Sequence, residues 1–368
     1  MAPREGGMIG VTITRYLAAR FTKTIMAIFV TMFCLMFVVY FVELLRRAGD
    51  IPQAGAGTVA LMTLLRVPAT AEMILPFAVL FGSMATFVDL TRKLELVVAR
   101  ASGMSVWQFL LPPALVAATI GIISVTLYNP ISAMMKMRSD QMELDLFGVE
   151  GSVRIDHGKW FRLNGVDGQA IMHAVDVRAG GLALDGVSVN VYQKDGVFLE
   201  RVEARRARLQ AGVFVLEDAR VSAPGEESRA VGSYLLATDL TPEQLASAAT
   251  PPQGAPFWDL PRLGDSSRDA GLDPTGYALQ FQTLLARPLL LVAMVLVAAS
   301  FSLRFFRFGG IARTISGGVA SGFVLYIGTK IFSDLGGAGV ISPLVAAWSP
   351  ALVGSMLGAL ALLHSEDG

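Results

Sequence analysis

Few residues in this sequence could do chemistry, and their types and spacing favour electrostatic over covalent work. His157, His173 and His364 lie far apart with no ligand-like spacing, so no metal site is expected. Cys34 is the only cysteine and lies in an apolar run, so no disulfide can form within the chain. The G-x-x-x-x-G-K-S/T loop that cradles ATP phosphates is absent, as are H-E-x-x-H and G-x-S-x-G. Glu226-Glu227 sit in a polar turn and read as solvated surface. Asp89 and Asp334 lie near the ends of apolar runs, where carboxylates reach water, and are weak candidates for a proton relay.

The remaining candidates are basic. Arg46-Arg47 close an apolar run that carries Phe33, Phe37 and Phe41, and Lys136 and Arg138 follow another. An arginine fork suits phosphate, and an aromatic wall suits acyl chains, so together they could hold an anionic lipid at a membrane rim. The competing assignment has these cations snorkel to headgroups or pair with Glu43 and Asp140. Exposed pairs of that kind are worth roughly 0–1 kcal/mol. A third cluster runs from Arg92 to Met104. It mixes Arg92, Lys93, Glu95 and Arg100 with Leu94, Val97 and Val98. This pattern predicts a short helix over Leu94–Met104, ended near Gly103, whose apolar part fits a partner's groove. Lying on a membrane surface is the alternative.

The elements that position these residues are set by lipid. The chain has 368 residues, 53% hydrophobic and 16% charged, where a soluble domain is about a quarter charged. A span needs about 20 mostly apolar residues. Six stretches qualify: about Phe21–Val42, Ala69–Val88 with Pro76 inside, Val106–Leu127 starting through Pro112-Pro113, Leu284–Leu303, Ile315–Phe332 and Ile341–Leu363. The first is too long for a signal-peptide core and lacks an A-x-A site, so it reads as a retained helix. The fifth carries Gly317, Gly318, Ser321, Gly322 and Gly328, which permit close helix packing inside one subunit or mark a moving or subunit-contacting helix.

Lys and Arg in short loops set orientation. One side holds Arg4, Arg15, Arg20, Lys23, Arg92, Lys93, Arg100, Arg304, Arg307 and Arg313; the other holds Arg46, Arg47, Arg66 and Lys330. Ten against four places both termini in the cytoplasm. Zero net charge offers no electrostatic footprint for nucleic acid.

Three regions follow: 1–130 with the first three spans and the short helix near 92–104, 131–277 as an outer insert with a Pro-rich connection, and 278–368 with the last three spans. In the insert, β-prone stretches alternate with turn signals such as Asn164-Gly165, Asp185-Gly186 and Asp195-Gly196. Over Gly212–Val221 the apolar positions partly alternate, as one buried sheet face requires. The expected fold class is an α-helical membrane protein with six transmembrane helices. Many short strands with tight turns favour a sandwich or a jelly roll, so a periplasmic all-β, jelly-roll-like domain is the expected insert between helices three and four.

The stretch Arg92-Lys-Leu-Glu-Leu-Val-Val-Ala-Arg-Ala-Ser-Gly-Met-Ser105 resembles the E-L-V-V-x-x-A-S-G segment of the LptF/LptG permeases, which extract lipopolysaccharide from the bacterial inner membrane. Phe257-Trp-Asp-Leu-Pro261, Phe301-Ser-Leu-Arg-Phe-Phe-Arg-Phe-Gly-Gly310, Phe332-Ser-Asp-Leu-Gly336 and Ser342-Pro-Leu-Val-Ala-Ala-Trp-Ser-Pro350 are similar to that family too, and look more like its LptG branch. The resemblance spans essentially the whole chain, with the β insert its most generic part.

The resemblance implies an LptG-like subunit, half of a lateral lipid cavity, paired with an LptF-like second permease subunit. It implies an LptB ATPase dimer in the cytoplasm, holding ATP and Mg, so that this chain is not itself an enzyme and binds no cofactor. It also implies LptC and an LptA bridge carrying lipopolysaccharide outward. Glu95 matches the family's acidic residue that meets a basic residue of the ATPase. Arg92, Val98 and Arg100 would share that contact, and Arg46, Arg47, Lys136 and Arg138 correspond to basic residues near lipid phosphates. Other readings are an LptF-like paralogue, a different ABC permease, or a membrane scaffold. A lipoprotein releaser would have four spans with its outer domain after the first, and six Gly-rich, Pro-broken spans exceed what an anchor needs.

Overall fold

The structure, a computed structural model, describes residues 5–49, 55–101, 103–151, 159–165, 168–178, 183–193, 195–210, 212–238, 241, 251–269, 273–304 and 311–366. They fall into two compact units, one drawn from 1–152, 256–258 and 279–368, the other from 153–255 and 259–278.

The first unit is helical. Its elements are α1 (Glu5–Ala48), α2 (Ala56–Arg92), the short α3 (Glu95–Ala101), α4 (Val106–Ile123) and α5 (Asn129–Gly151). A π-helical turn, Ser124–Tyr128, joins α4 to α5. Ser105 caps α4: its Oγ accepts from the Gln108 N–H, and the Gln108 side chain accepts from the Ser105 N–H, both at 3.2 Å. Five helices are long and apolar enough to cross a membrane among the described residues: Ile13–Ala48, Ala56–Arg92, Val106–Phe147, Thr275–Ser302 and Pro343–His364. The other expected span falls on a 27-residue helix, Ile311–Gly337, whose Gly, Ser and Thr lower its apolar content.

The core of this unit joins α1, α2 and α4 to the helix Thr275–Arg304 through Phe21, Ile25, Val79, Phe87, Leu110, Leu291 and Val295. Phe21 meets Phe87 edge-on at 4.9 Å. Close approach needs glycine at two crossings. A Cβ on Gly82 would lie 2.7 Å from Ile25 Cγ1 and 2.8 Å from its Cα, and one on Gly121 would lie 2.5 Å from Pro288 Cα. Backbone is the obstacle in both, so any larger residue would force the helices apart. Gly318 and Gly322 pack on Met84 and Leu80 of α2, which answers to tight packing within one chain, whereas Gly328 faces open space.

One boundary differs from the sequence expectation. The helix after the third span does not stop near 131 but runs to Gly151. Its charged residues end a hydropathy-based span, yet one of them, Glu143, turns inward to partners on α1 and α2, as described below. Lys136 and Arg138 therefore sit on a helix rather than in the insert.

The second unit carries β1 (Lys159–Gly165), β2 (Gly168–Arg178), β3 (Ala183–Tyr192), β4 (Phe198–Gln210), β5 (Val213–Ser222) and β6 (Arg229–Ala237). They form one antiparallel sheet in the order β1-β2-β3-β4-β5-β6. Among the described strands this is a meander, not the expected jelly-roll order, because each strand returns directly beside its predecessor with no Greek-key crossover. The two edge strands approach one another, so the sheet curls. All six strands feed one core that includes Leu163, Met172, Leu184, Val189, Val202, Phe214, Leu216 and Leu236.

The partial alternation in β5 has a local cause. Phe214 and Leu216 point inward, then Ala219 and Val221 do, with the phase changing at Asp218, which sits at φ 54°. The same change occurs at Gly186 (φ 59°) in β3, and between Ala204 and Ala207 in β4. The strand register is unbroken across these points, so they are local kinks rather than bulges; the one register shift in the pairing of β3 with β4 lies at Val191/Tyr192. Pro252–Gly254 and Phe257–Asp259 form short 3-10 turns. The chain continues through α6 (Leu260–Asp269), α7 (Thr275–Arg304), α8 (Ile311–Gly337) and α9 (Pro343–Glu366).

Candidate functional site

One end of the helical unit presents α3 between two apolar helices. Its apolar residues divide. Leu96 is buried in the core cluster that holds Leu17, Phe21 and Leu90. Val98 is 67% exposed, and Leu94, just before the helix, is 59% exposed. The spacing i, i+4 puts Leu94 and Val98 on one face. Arg92 and Lys93 are exposed beside them, and the Arg100 side chain lies outside the described residues. Glu95 faces inward. It accepts from Arg20 Nη1 on α1 at 2.9 and 3.1 Å and from the Tyr16 hydroxyl at 3.1 Å. Arg20 also bonds Asp89 in the last turn of α2, and Lys93 pairs with Asp89 at 3.2 Å. The sequence reading placed Arg20 and Glu95 in separate roles, and the fold joins them.

At the opposite end of α1, Phe33, Phe37 and Phe41 are half-buried, and Phe37 and Phe41 stack at 6.0 Å. Arg46 and Arg47 occupy the last turn of α1. Arg47 does not pair with Glu43. It donates to Glu143 Oε1 at 3.2 Å, while Arg66 of α2 donates to Glu143 Oε2 at 2.7 Å. Both arginines also lie over rings, Arg47 over Phe147 at 5.3 Å and Arg66 over Tyr40 at 5.9 Å. Two guanidiniums thus share one carboxylate. Lys136 pairs with Asp140 at 2.9 Å, as the snorkel-or-pair alternative had it. Arg46 and Arg138 are exposed, and neither forms an ion pair among the described residues. Of the four cations singled out, these two are the ones with charge free for a ligand.

A third cluster escaped the sequence reading. Glu72 of α2 is buried and ion-paired with Arg287 of α7. Asn129 Nδ2 donates to both Glu72 oxygens at 3.1 Å, and Ser132 Oγ donates at 3.2 Å. Asn129 Oδ1 in turn accepts the Phe257 N–H at 2.8 Å, and the Trp258 indole N–H donates to the Thr126 carbonyl at 3.2 Å. The π-helical turn ends just before Asn129, and Pro288 follows Arg287. This network ties α2, α5, α7 and the Phe257-Trp258 segment together. Glu72 lies twenty residues from Arg92, about 30 Å along the helix, which matches one hydrocarbon thickness. A signal was present: Glu72 is the one carboxylate in 69–88 and Arg287 the one charge in 284–303. Opposite lone charges inside two spans predict a pair.

No group of three or more His, Cys, Asp or Glu that could hold a metal occurs among the described residues. The three clusters present exposed apolar surface, free and paired cations, and a buried ion pair.

Comparison with known proteins agrees with this character. Residues 15–364 match the family described as lipopolysaccharide export system permease LptF/LptG. A curated relative, the lipopolysaccharide export system permease protein LptG of Escherichia coli (strain K12), is 24% identical over 344 residues, covering 91% of this chain and 93% of that protein. The protein of the same name from Haemophilus influenzae is 24% identical over 364 residues, covering 95% of each.

Proposed function

We propose, from the premise that the chain belongs to the LptF/LptG family of lipopolysaccharide export permeases, that it is the LptG-type subunit of an export complex in a bacterial inner membrane. It contributes half of a lateral cavity that takes lipopolysaccharide from the membrane and passes it to a periplasmic bridge. α8 serves as the sixth span, both termini lie in the cytoplasm, and the β unit lies in the periplasm. An LptF-like subunit supplies the other half of the cavity. An LptB dimer binds ATP and Mg and drives the cycle, while LptC and LptA receive the lipid. This chain itself holds no cofactor.

The observation that carries this reading is α3. A short helix at the inner end of two spans leaves Leu94 and Val98 exposed while Leu96 and Glu95 anchor it. Water gives no reason to expose a Leu and a Val four residues apart, and a partner groove would cover them. At the outer end, Phe33, Phe37 and Phe41 form the acyl wall. Arg46 and Arg138 grip lipid phosphate, with the Arg47–Glu143–Arg66 group and Lys136 supporting the rim potential. Val187, Val189 and Phe214 are at most 2% exposed in the β core, so acyl chains would enter only as the curled sheet opens between β1 and β6.

Co-expression tests the docking directly. The tagged chain should retain an ATPase through detergent extraction, and Val98→Glu should release it while the chain still inserts. Retention undiminished by Val98→Glu and by Leu94→Glu would refute α3 as the docking helix.

A further inference from the structure

The link between α2 and α3 is a strained pivot. Leu94 holds φ 59°, a left-handed conformation that a leucine rarely adopts. Such residues persist only where their surroundings over-determine them. Here the Lys93 N–H donates to the Asp89 carbonyl at 3.0 Å, the Leu94 N–H donates to the Thr91 carbonyl at 3.1 Å, and the Val98 N–H returns to the Leu94 carbonyl at 3.0 Å.

One side chain from another helix crosses this pivot. Arg20 of α1 directs Nη2 to Asp89, before Leu94, and Nη1 to Glu95, after it. Tyr16, one turn earlier on α1, donates its hydroxyl to Glu95 at 3.1 Å and accepts from Arg20. Its ring lies 5.6 Å from the guanidinium carbon. The Arg20 side chain is 16% exposed, so the bonds are partly shielded from water and salt. α3 cannot turn about Leu94 without either breaking this clasp or drawing α1 with it.

α1 is built to be drawn. It has no Pro or Gly from 11 to 48, whereas α2 contains Pro68 and Pro76. Only 6% of its most apolar window is buried, against 61% for α2. It is seated near Arg20 by Leu17, Phe21 and Ile25 and at its far end by Leu44 and Ala48, with a sparsely packed middle, and Phe33 in that middle lies thirteen residues beyond Arg20, about 20 Å along the axis.

We infer that Arg20 is the positioning residue that transmits displacement of α3 to α1, through its fork across the Leu94 pivot, and so moves the Phe33–Phe41 wall when α3 moves. The inference rests on the reading of α3 as the helix that docks on the ATPase. A basic group of that ATPase approaching Glu95 would compete with Arg20 for the same carboxylate, giving the clasp two states.

The test uses the complete complex in proteoliposomes loaded with lipopolysaccharide, with ATP hydrolysis and extracted lipid measured on the same sample. Arg20→Gln should leave ATP hydrolysis within about twofold of the parent. It should lower lipid extracted per ATP at least about fivefold, the lower end of the usual coupling between sites. Arg20→Lys, which keeps the charge but not the fork, should recover part of the ratio. Tyr16→Phe removes one hydroxyl and should lower the ratio by about twofold or more. An unchanged ratio in assembled Arg20→Gln would overturn the inference. Should Arg20→Gln fail to assemble, Tyr16→Phe decides: a lowered ratio upholds the clasp and an unchanged one overturns it. Failure of the parent chain to retain the ATPase would instead overturn the docking reading beneath it.

Discussion

Replacing Arg287 by leucine gives the sharpest test of how the helical unit is held. The Glu72 and Arg287 side chains are 8% and 13% exposed, so water screens the pair weakly. Arg287→Leu leaves a buried carboxylate with only Asn129 and Ser132 as donors. Breaking a buried pair typically costs about 3–5 kcal/mol. The surviving donors place this site near the low end, about 3 kcal/mol. For a unit of this size that corresponds to about 6–12 °C in Tm. Adding Glu72→Gln should restore stability, because the amide oxygen still accepts from Asn129 and Ser132 while the stranded charge is gone. Thermal unfolding of the purified chain in detergent, across both single variants and the double, reads this directly. A double variant less stable than Arg287→Leu alone would refute the claim that an uncompensated buried charge is what the single variant suffers.

Three further outcomes follow from the packing and the rim. Gly121→Leu should lower the Tm of the helical unit by an overpacking cost of about 1–3 kcal/mol, since the new side chain meets the Pro288 backbone. Phe214→Ala should cost about 3–5 kcal/mol of β-unit stability, read by protease resistance of the sheet, because Phe214 is fully buried in its core. Arg46→Glu with Arg138→Glu should reduce lipopolysaccharide that co-purifies with the complex, measured alongside complex yield, whereas Lys136→Gln should reduce it less, because Asp140 already occupies that cation.

What the sequence made legible follows from the range of the forces involved. Long apolar runs announce spans because lipid demands about 20 such residues in a row, so five of the six expected spans lie on helices of the required length and apolar content. α8 answers the rule less well because it is rich in glycine, and two of those glycines, Gly318 and Gly322, serve close contact with α2. Strand positions were readable from alternation, but the positive-φ kinks at Gly186 and Asp218 were visible only as broken alternation. The extension of α5 was hidden because Glu143 reads as a loop charge until Arg47 and Arg66, 96 and 77 residues away, are seen to meet it. The Arg20–Glu95 contact, 75 residues apart, is likewise a product of the fold. Glu72 and Arg287 stood in plain view as lone charges in apolar runs, and hydropathy averaging passed over them.

The central claim is that this chain, with an ATPase on α3 and a second permease subunit beside it, lifts lipopolysaccharide from a membrane. Reconstitution of those three components in proteoliposomes containing lipopolysaccharide tests it, with release of the lipid to a soluble acceptor followed over time. The account predicts release that requires ATP, and that fails with Val98→Glu. ATP-independent release, or no release from an assembled complex that hydrolyses ATP, would contradict it.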